Sequence, residues 1–107
     1  MVVAAVPAMD MKSLQSLGDA LRERMESGVA VLSASFADGK NSLLAIVTDD
    51  LRDRGLRADT LIREVAAVAG GRGGGKPHMA QAGIPDAERL PDALAAVAGI
   101  VQAQMTR

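Results

Sequence analysis

The apolar run Leu43–Val47 is the feature that most restricts how this chain can fold. The run does not alternate between apolar and polar residues, so a strand built from it presents apolar side chains on both faces. Such a strand needs cover on both faces of its sheet. A second apolar run, Val29–Phe36, precedes it, and the Asp38-Gly39 pair between them is typical of a hairpin turn. The two runs predict an antiparallel pair inside a covered sheet.

Segments with helical periodicity lie before and after this pair of strands in the sequence. One predicted helix runs from a capping Asp10 to about Ser27, where Gly28 ends it, with these apolar residues at helical spacing: Leu14, Leu17, Leu21 and Met25. Thr48 followed by Asp49 and Asp50 predicts a capped helical turn that continues towards Arg54.

Two further helices are predicted downstream. The first runs from about Ala58 to Ala69, and the second begins near Leu90-Pro91 and buries Leu94, Val97 and either Ile100 or Val101. The segment 70–85 shows neither a helical nor a strand periodicity. With a strand at Val2–Val6, the order β-α-β-β-α-loop-α predicts one α/β domain over residues 1–107, a mixed β-sheet packed with helices.

Composition excludes several functional classes. The chain has no cysteine, which removes disulfides, thiolate catalysis and cysteine-bound metal. Phe36 is the sole aromatic residue, which argues against base-stacking platforms. The net charge of −1 requires any RNA contact to come from a local patch. No apolar stretch approaches the ~20 residues of a membrane span, and residues 1–7 lack the basic start of a signal peptide, so a cytoplasmic protein is expected.

Residues 70–83 are the most unusual stretch of the sequence. Five glycines lie within positions 70–75, directly after a predicted helix. Glycine loses the most backbone freedom on folding, so an ordered loop of this composition is costly. Two interpretations stand side by side: a flexible linker, or an anion-binding nest of main-chain N–H groups neutralised by Arg72 and Lys76.

Known nucleotide motifs do not fit this stretch. Gly70 and Gly75-Lys76 have the spacing of a P-loop, but Pro77 replaces the hydroxyl residue that binds Mg²⁺, and the loop follows a helix. No dinucleotide-binding glycine register fits either. Nucleoside triphosphate binding is therefore not predicted.

The segment Arg72–Gln81, RGGGKPHMAQ, resembles the glycine-rich signature of the DHHA1 domain family, which occurs at the C-terminus of alanyl-tRNA synthetases and in DHH-family phosphoesterases. Residues 27–31, 47–51 and 58–62 agree with that family in order and spacing. Two departures are His78, where the family usually has Asp, and residues 82–85, where it usually has glycines.

The resemblance implies a tRNA-binding C-terminal fragment of a larger alanine–tRNA ligase. It would hold tRNA while other domains, using ATP, Mg²⁺ and zinc, carry out aminoacylation and editing. The fragment itself would hold no cofactor, no metal and no catalytic residue. The nucleic-acid contacts that the resemblance implies are Gly71, Arg72, Gly73, Gly74, Gly75, Lys76, His78 and Gln81.

Two other functions remain open. The fragment could be the substrate-binding domain of a DHH phosphoesterase or exonuclease whose catalytic half lies elsewhere. It could also be an interaction module that uses helix 91–105 to form a homodimer or to pack on its parent protein. Single residues also have plainer interpretations. His78 can be a solvated loop residue, Gln81 can either bind RNA or cap the loop backbone, and Asp49 and Asp50 are better explained by helix capping than by a carboxylate pair.

Overall fold

A computed structural model describes residues 2–5, 11–35, 41–85 and 87–105. The elements are, in chain order, β1 (Val2–Ala5), α1 (Met11–Arg24), β2 (Val29–Ser35), β3 (Asn41–Val47), α2 (Asp49–Asp53), α3 (Ala58–Val68), β4 (Arg72–Gly75), β5 (Met79–Ile84), a 3-10 turn (Ala87–Arg89) and α4 (Leu90–Met105). The α/β class predicted from the sequence is confirmed. No helix in the described ranges is long and apolar enough to cross a membrane.

The five strands form one mixed sheet in the order β1-β2-β3-β5-β4. β1 runs parallel to β2, and the other neighbours are antiparallel. β3 lies in the middle, and all seven of its residues are buried. The predicted cover on both faces of this strand is confirmed. The turn predicted at Asp38-Gly39 lies outside the described residues.

Side chains alternate between two cores along β3. Leu44 and Ile46 pack under α1 together with Leu14, while Leu43, Ala45 and Val47 belong to the larger core under α3 and α4. The helix α1 lies close to the sheet at Gly18, where an added Cβ would fall 2.7 Å from Leu44 Cδ2. The result is a three-layer arrangement with the sheet between helices.

The predicted helices are present with modified ends. The predicted start of α1 at Asp10 is outside the described residues, and the helix ends at Arg24, one turn before Ser27. α2 begins after Thr48, as predicted, but the Thr48 side chain does not cap it. In α4, Val97 is fully buried, and these predicted core residues are half-buried against the larger core: Leu94, Ile100 and Val101.

The segment 70–85, predicted as an aperiodic loop, folds as the antiparallel hairpin β4–β5. β5 pairs with β3 on its other side, so the hairpin extends the main sheet and β4 forms its edge. The predicted anion-binding nest is therefore wrong as a conformation, because a nest needs curled backbone whereas Arg72–Gly75 is an extended strand.

Candidate functional site

The glycine-rich hairpin begins with a helix stop at the end of α3. Gly70 has φ 73°, a left-handed conformation that glycine adopts without a Cβ penalty. Its N–H donates to the Ala67 carbonyl at 3.2 Å, and the N–H of Gly71 donates to the Ala66 carbonyl at 2.8 Å. This pair of bonds is a Schellman motif, which satisfies the last carbonyls of the helix and directs the chain into β4.

Three glycines of the motif are required by close packing of backbone on backbone. An added Cβ would lie 2.3 Å from the Gly83 carbonyl oxygen at Gly71, 2.3 Å from Ala82 Cβ at Gly73, and 2.8 Å from Ala80 Cα at Gly75. Real Cβ atoms do not approach so closely, so β4 and β5 can pair at this distance only with glycine at these positions.

Gly74 is different from its neighbours. The nearest atom that an added Cβ at Gly74 would meet is Arg63 Nε, at 3.9 Å, an ordinary van der Waals distance. Packing against β5 therefore does not explain this glycine, whose cross-strand partner is Gln81. Its bare backbone faces a groove instead.

The turn between β4 and β5 is tied to the core by main-chain hydrogen bonds. The Lys76 N–H donates to the Met79 carbonyl at 3.0 Å and closes a turn of two residues, Pro77 and His78. The Pro77 carbonyl accepts a bond of 2.8 Å from the N–H of Ala58, and the His78 carbonyl accepts one of 3.1 Å from Val47. These bonds fix the turn relative to α3 and β3.

A groove of about 350 Å³ lies between α1 and the β4–β5 hairpin. One wall consists of hairpin residues, including the backbone of Gly74 and Gly75. The other wall is the side of α1 that carries Gln15 and Asp19. Gln15 Nε2 donates to Gln81 Oε1 at 3.1 Å, which joins the two walls. The groove thus combines bare backbone, two amides, a carboxylate and the Lys76 ammonium.

The groove is electrostatically positive around His78. Burial lowers the pKa of His78 below its usual value, and the positive charges of Arg22, Arg52 and Lys76 lower it further, while Asp19 acts in the opposite direction. A lowered pKa favours the neutral imidazole, which lies among cations. His78 is half-buried in the turn between β4 and β5, so its side chain is only partly exposed to solvent.

The structure brings together five of the eight predicted contact residues. The five that line the groove are Gly74, Gly75, Lys76, His78 and Gln81. Gly71, Arg72 and Gly73 do not line it; the two glycines pack against β5, and Arg72 is exposed on the edge strand. The Gln81 side chain is held at the groove by Gln15 on α1 and not by a bond to the loop backbone, and its contact with RNA stays a prediction.

Sequence reasoning missed the contribution of α1 to this site. Gln15, Asp19 and Arg22 fall at positions i, i+4 and i+7, so they form a polar stripe beside the apolar stripe that faces the sheet. That stripe was the available signal. Its meaning depends on the position of the hairpin opposite α1, which the sequence pattern did not predict.

Asp49 and Asp50 do not form a joint carboxylate site. The Asp50 carboxylate accepts hydrogen bonds from the Ser27 hydroxyl and from Thr48 Oγ1, which lower the pKa of Asp50. Asp49 pairs with Arg52 one turn along α2. Within residues 2–5, 11–35, 41–85 and 87–105, no three carboxylate or imidazole side chains lie together in a group that could hold a metal ion.

The arginines near the hairpin have separate roles. Arg57 forms an ion pair with Asp59, with 3.1 Å between Nε and Oδ1, and the hydrogen bond lowers the pKa of Asp59. Arg52 is engaged by Asp49. Arg63 lies beside Gly74. Arg52 and Arg57 are therefore parts of a mixed-charge surface, each paired with an aspartate.

Comparison with known proteins places this chain in a family. The model of the DHHA1 domain matches residues 1–103. Alanine–tRNA ligases from Roseiflexus sp. (strain RS-1) and Pelotomaculum thermopropionicum are 43% and 47% identical to it over 96% and 95% of the chain. In both cases the chain spans 11% of the relative's length.

A solved structure agrees with these relatives. The crystal structure of the C-Ala domain from Aquifex aeolicus alanyl-tRNA synthetase superimposes with a TM-score of 0.82 at 27% identity. The match covers 94% of this chain and 89% of that one. On these findings, the chain belongs to the DHHA1 domain family.

Proposed function

We propose that this domain binds tRNA as the C-terminal part of an alanine–tRNA ligase, and that the groove between α1 and the β4–β5 hairpin receives the RNA strand. The observation that carries the proposal is the convergence of the Gly74–Gly75 backbone, Lys76, His78 and Gln81 on one groove. The similarity to alanine–tRNA ligases along nearly the whole chain supports the same function.

The chemistry of the groove suits a sugar–phosphate backbone. Gly74 has no side chain of its own, and the nearest atom to an added Cβ is Arg63 Nε at 3.9 Å, so a strand can approach the Gly74 main chain. Lys76, which is exposed, supplies a positive charge for a phosphate, and exposed Arg72 on the edge strand supplies a second one nearby. The chain has a single aromatic residue, Phe36, which is too few for a platform on which successive bases stack. Recognition therefore relies on shape, phosphate and ribose.

The remaining activities belong to other parts of the proposed parent protein. In this proposal other domains bind ATP, Mg²⁺ and zinc and carry out aminoacylation and editing, while this domain holds the tRNA for both. A cytoplasmic location follows from that role. Self-association through α4 stays a separate prediction, which light scattering on the purified domain would test.

Variants of the two exposed cations test the proposal. Arg72→Ala and Lys76→Ala should each weaken binding of a tRNA transcript by roughly three- to tenfold, since each removes one partly solvated phosphate contact. Binding should also weaken steeply as salt increases, with a smaller salt slope in each variant. The measurement is a fluorescence titration at several salt concentrations.

Arg24→Ala is the matched control for these variants. Arg24 is exposed and lies at the end of α1, outside the β4–β5 hairpin that carries Arg72 and Lys76, and its substitution removes the same charge. It should bind tRNA as the parent does, apart from a small nonspecific loss. If Lys76→Ala and Arg72→Ala bind no more weakly than Arg24→Ala, the proposed interface is wrong.

The relatives described above are alanine–tRNA ligases, which favours this function over the phosphoesterase alternative.

A further inference from the structure

The groove contains a pair of amides, of which Gln81 belongs to the glycine-rich motif and Gln15 does not. Gln15 on α1 donates from Nε2 to Oε1 of Gln81 on β5, at 3.1 Å. The residues are 66 positions apart, so this contact exists only in the folded domain. The described part of the chain provides neither amide with a second side-chain partner.

Because one amide donates to the other, the pair keeps one amide donor and one amide acceptor for the groove. Because Gln81 Oε1 is engaged by Gln15, the NH₂ group of Gln81 remains as a donor. Gln15 Oε1 remains as an acceptor. The pair therefore presents a donor and an acceptor close together on the two sides of one groove.

A hydroxyl group suits such a pair, because it donates one hydrogen bond and accepts others. A phosphate oxygen only accepts, so it would use the Gln81 donor and leave the Gln15 acceptor unsatisfied. The ribose 2′-hydroxyl is the group of this kind that RNA has and DNA lacks. The chemistry of the pair thus matches a feature that separates the two nucleic acids.

Groups next to the two glutamines favour a position for a phosphate that brings its ribose close to the pair. Gln81 lies opposite Gly74 across the hairpin, and Gly75 and Lys76 continue along the same wall. Asp19, one turn beyond Gln15, repels phosphate from the α1 side. A phosphate is therefore favoured near Lys76, and the sugar attached to it lies towards the two amides.

We propose that Gln15 and Gln81 together bind a ribose 2′-hydroxyl, with Gln15 also holding the Gln81 amide in place, and that this contact makes the groove select RNA over DNA. The inference rests on the proposed function, because it concerns the same groove. It adds a specificity-determining contact and a residue from α1.

The test compares a tRNA transcript with a DNA strand of the same sequence. The parent domain should bind the RNA more tightly by roughly three- to tenfold, the size expected for one or two hydrogen bonds between neutral groups. Gln81→Ala and Gln15→Ala should each reduce this ratio towards one, because each variant weakens RNA binding more than DNA binding. If a variant only lost structure, its affinities for RNA and for DNA would fall together, and the RNA-to-DNA ratio would not change.

Gln15→Glu gives a sharper variant. Its carboxylate can only accept, so it draws the Gln81 NH₂ group to itself and turns the Gln81 oxygen towards the groove. The ratio should then also fall towards one, and the added charge should weaken RNA and DNA alike. Gln102→Ala, an exposed glutamine on α4, is the control and should keep the parent ratio.

The outcomes separate this inference from the proposed function. If the domain binds tRNA but the RNA-to-DNA ratio is close to one, or is the same in the parent and in both alanine variants, the 2′-hydroxyl contact is wrong and the tRNA-binding function stands. If the parent domain binds neither ligand, the proposed function itself fails.

Discussion

The N–H of Ala58 donates a hydrogen bond of 2.8 Å to the carbonyl of Pro77, so the first residue of α3 is fastened to the turn of the glycine-rich hairpin. The first amides of a helix have no partner within the helix itself. Here one of them uses the turn as its acceptor. The helix start and the groove wall are therefore stabilised together, and loosening one loosens the other.

Ala58→Pro tests this coupling, because proline lacks the N–H but is tolerated at the first helical position. The preceding residue, Arg57, has φ −126° and ψ 137°, which a following proline permits. The variant should lose about 1–3 kcal/mol of unfolding free energy, since the hydrogen bond is removed and ring atoms are added at a buried site. Hydrogen exchange at the Lys76 amide should accelerate.

Ala58→Val is the control, because it also adds volume at the buried position but keeps the N–H. The Lys76 amide should exchange as slowly in this variant as in the parent, after correction for global stability. Equal acceleration in both variants would show that the bond to Pro77 does not hold the turn.

The glycines of the hairpin should divide into two classes. Gly73→Ala places a Cβ 2.3 Å from Ala82 Cβ and 2.4 Å from the Gln81 carbonyl oxygen, so β4 must move away, at a cost of about 1–3 kcal/mol. Gly74→Ala meets nothing closer than 3.9 Å and should change stability by less than about 1 kcal/mol. Urea unfolding measures both variants. Similar destabilisation by the two would contradict the close pairing of β4 and β5.

Much of the fold was predictable because it follows from apolar side-chain patterns. The continuous run Leu43–Val47 correctly indicated a strand covered on both faces, and the helical period correctly gave α3 within one residue of its ends. Both signals depend on which side chains are buried, and the spacing of apolar residues in the sequence shows that pattern directly.

The β4–β5 hairpin was not predictable in the same way. Strand β4 reads Arg-Gly-Gly-Gly and has almost no side chains to alternate, so its strand period is invisible in the sequence. Its partner contains small residues for the same reason, since Ala80 and Ala82 sit against glycine. Because the hairpin was not predicted, the groove was predicted only in part. The motif indicated its hairpin residues, but Gln15 and Asp19 join them only through tertiary packing.

The Asp50 carboxylate should make the domain sensitive to acid. Hydrogen bonds from Ser27 and Thr48 lower its pKa in the folded domain below the ordinary value of 3.8. Its contribution to stability is therefore complete above that value and is lost as the pH falls through the lower pKa of the folded state. Asp50→Asn should be less stable than the parent at pH 6, and the difference should shrink as the pH falls below 3.8 and through the lower pKa of the folded state.

Thermal melts across this pH range measure the effect. Asp53→Asn, which removes an exposed carboxylate at the end of the same short helix, serves as the charge-matched control. It should not reproduce the pH-dependent difference. A constant difference between Asp50→Asn and the parent from pH 6 to pH 2 would contradict the assignment of these hydrogen bonds.

His78 should report the arrival of RNA phosphate in the groove. Burial and the neighbouring cations Arg22, Arg52 and Lys76 lower its pKa in the free domain. A bound phosphate favours the imidazolium, so the pKa should rise when tRNA is added, and affinity should increase as the pH falls between the two values. His78 is the one histidine of the chain, so NMR follows a single imidazole. An unchanged pKa at saturating tRNA would exclude phosphate near His78.

The most direct test of the central claim is to map amide chemical shifts of the domain during titration with a tRNA transcript. The largest changes should fall on Gly74, Gly75, Lys76 and Gln81, together with the backbone and side-chain amides of Gln15 on the facing helix. Changes confined to the opposite side of the sheet, at Ala67 and Gly99 between α3 and α4, or no changes at all, would contradict the assignment of this groove as the RNA-binding surface.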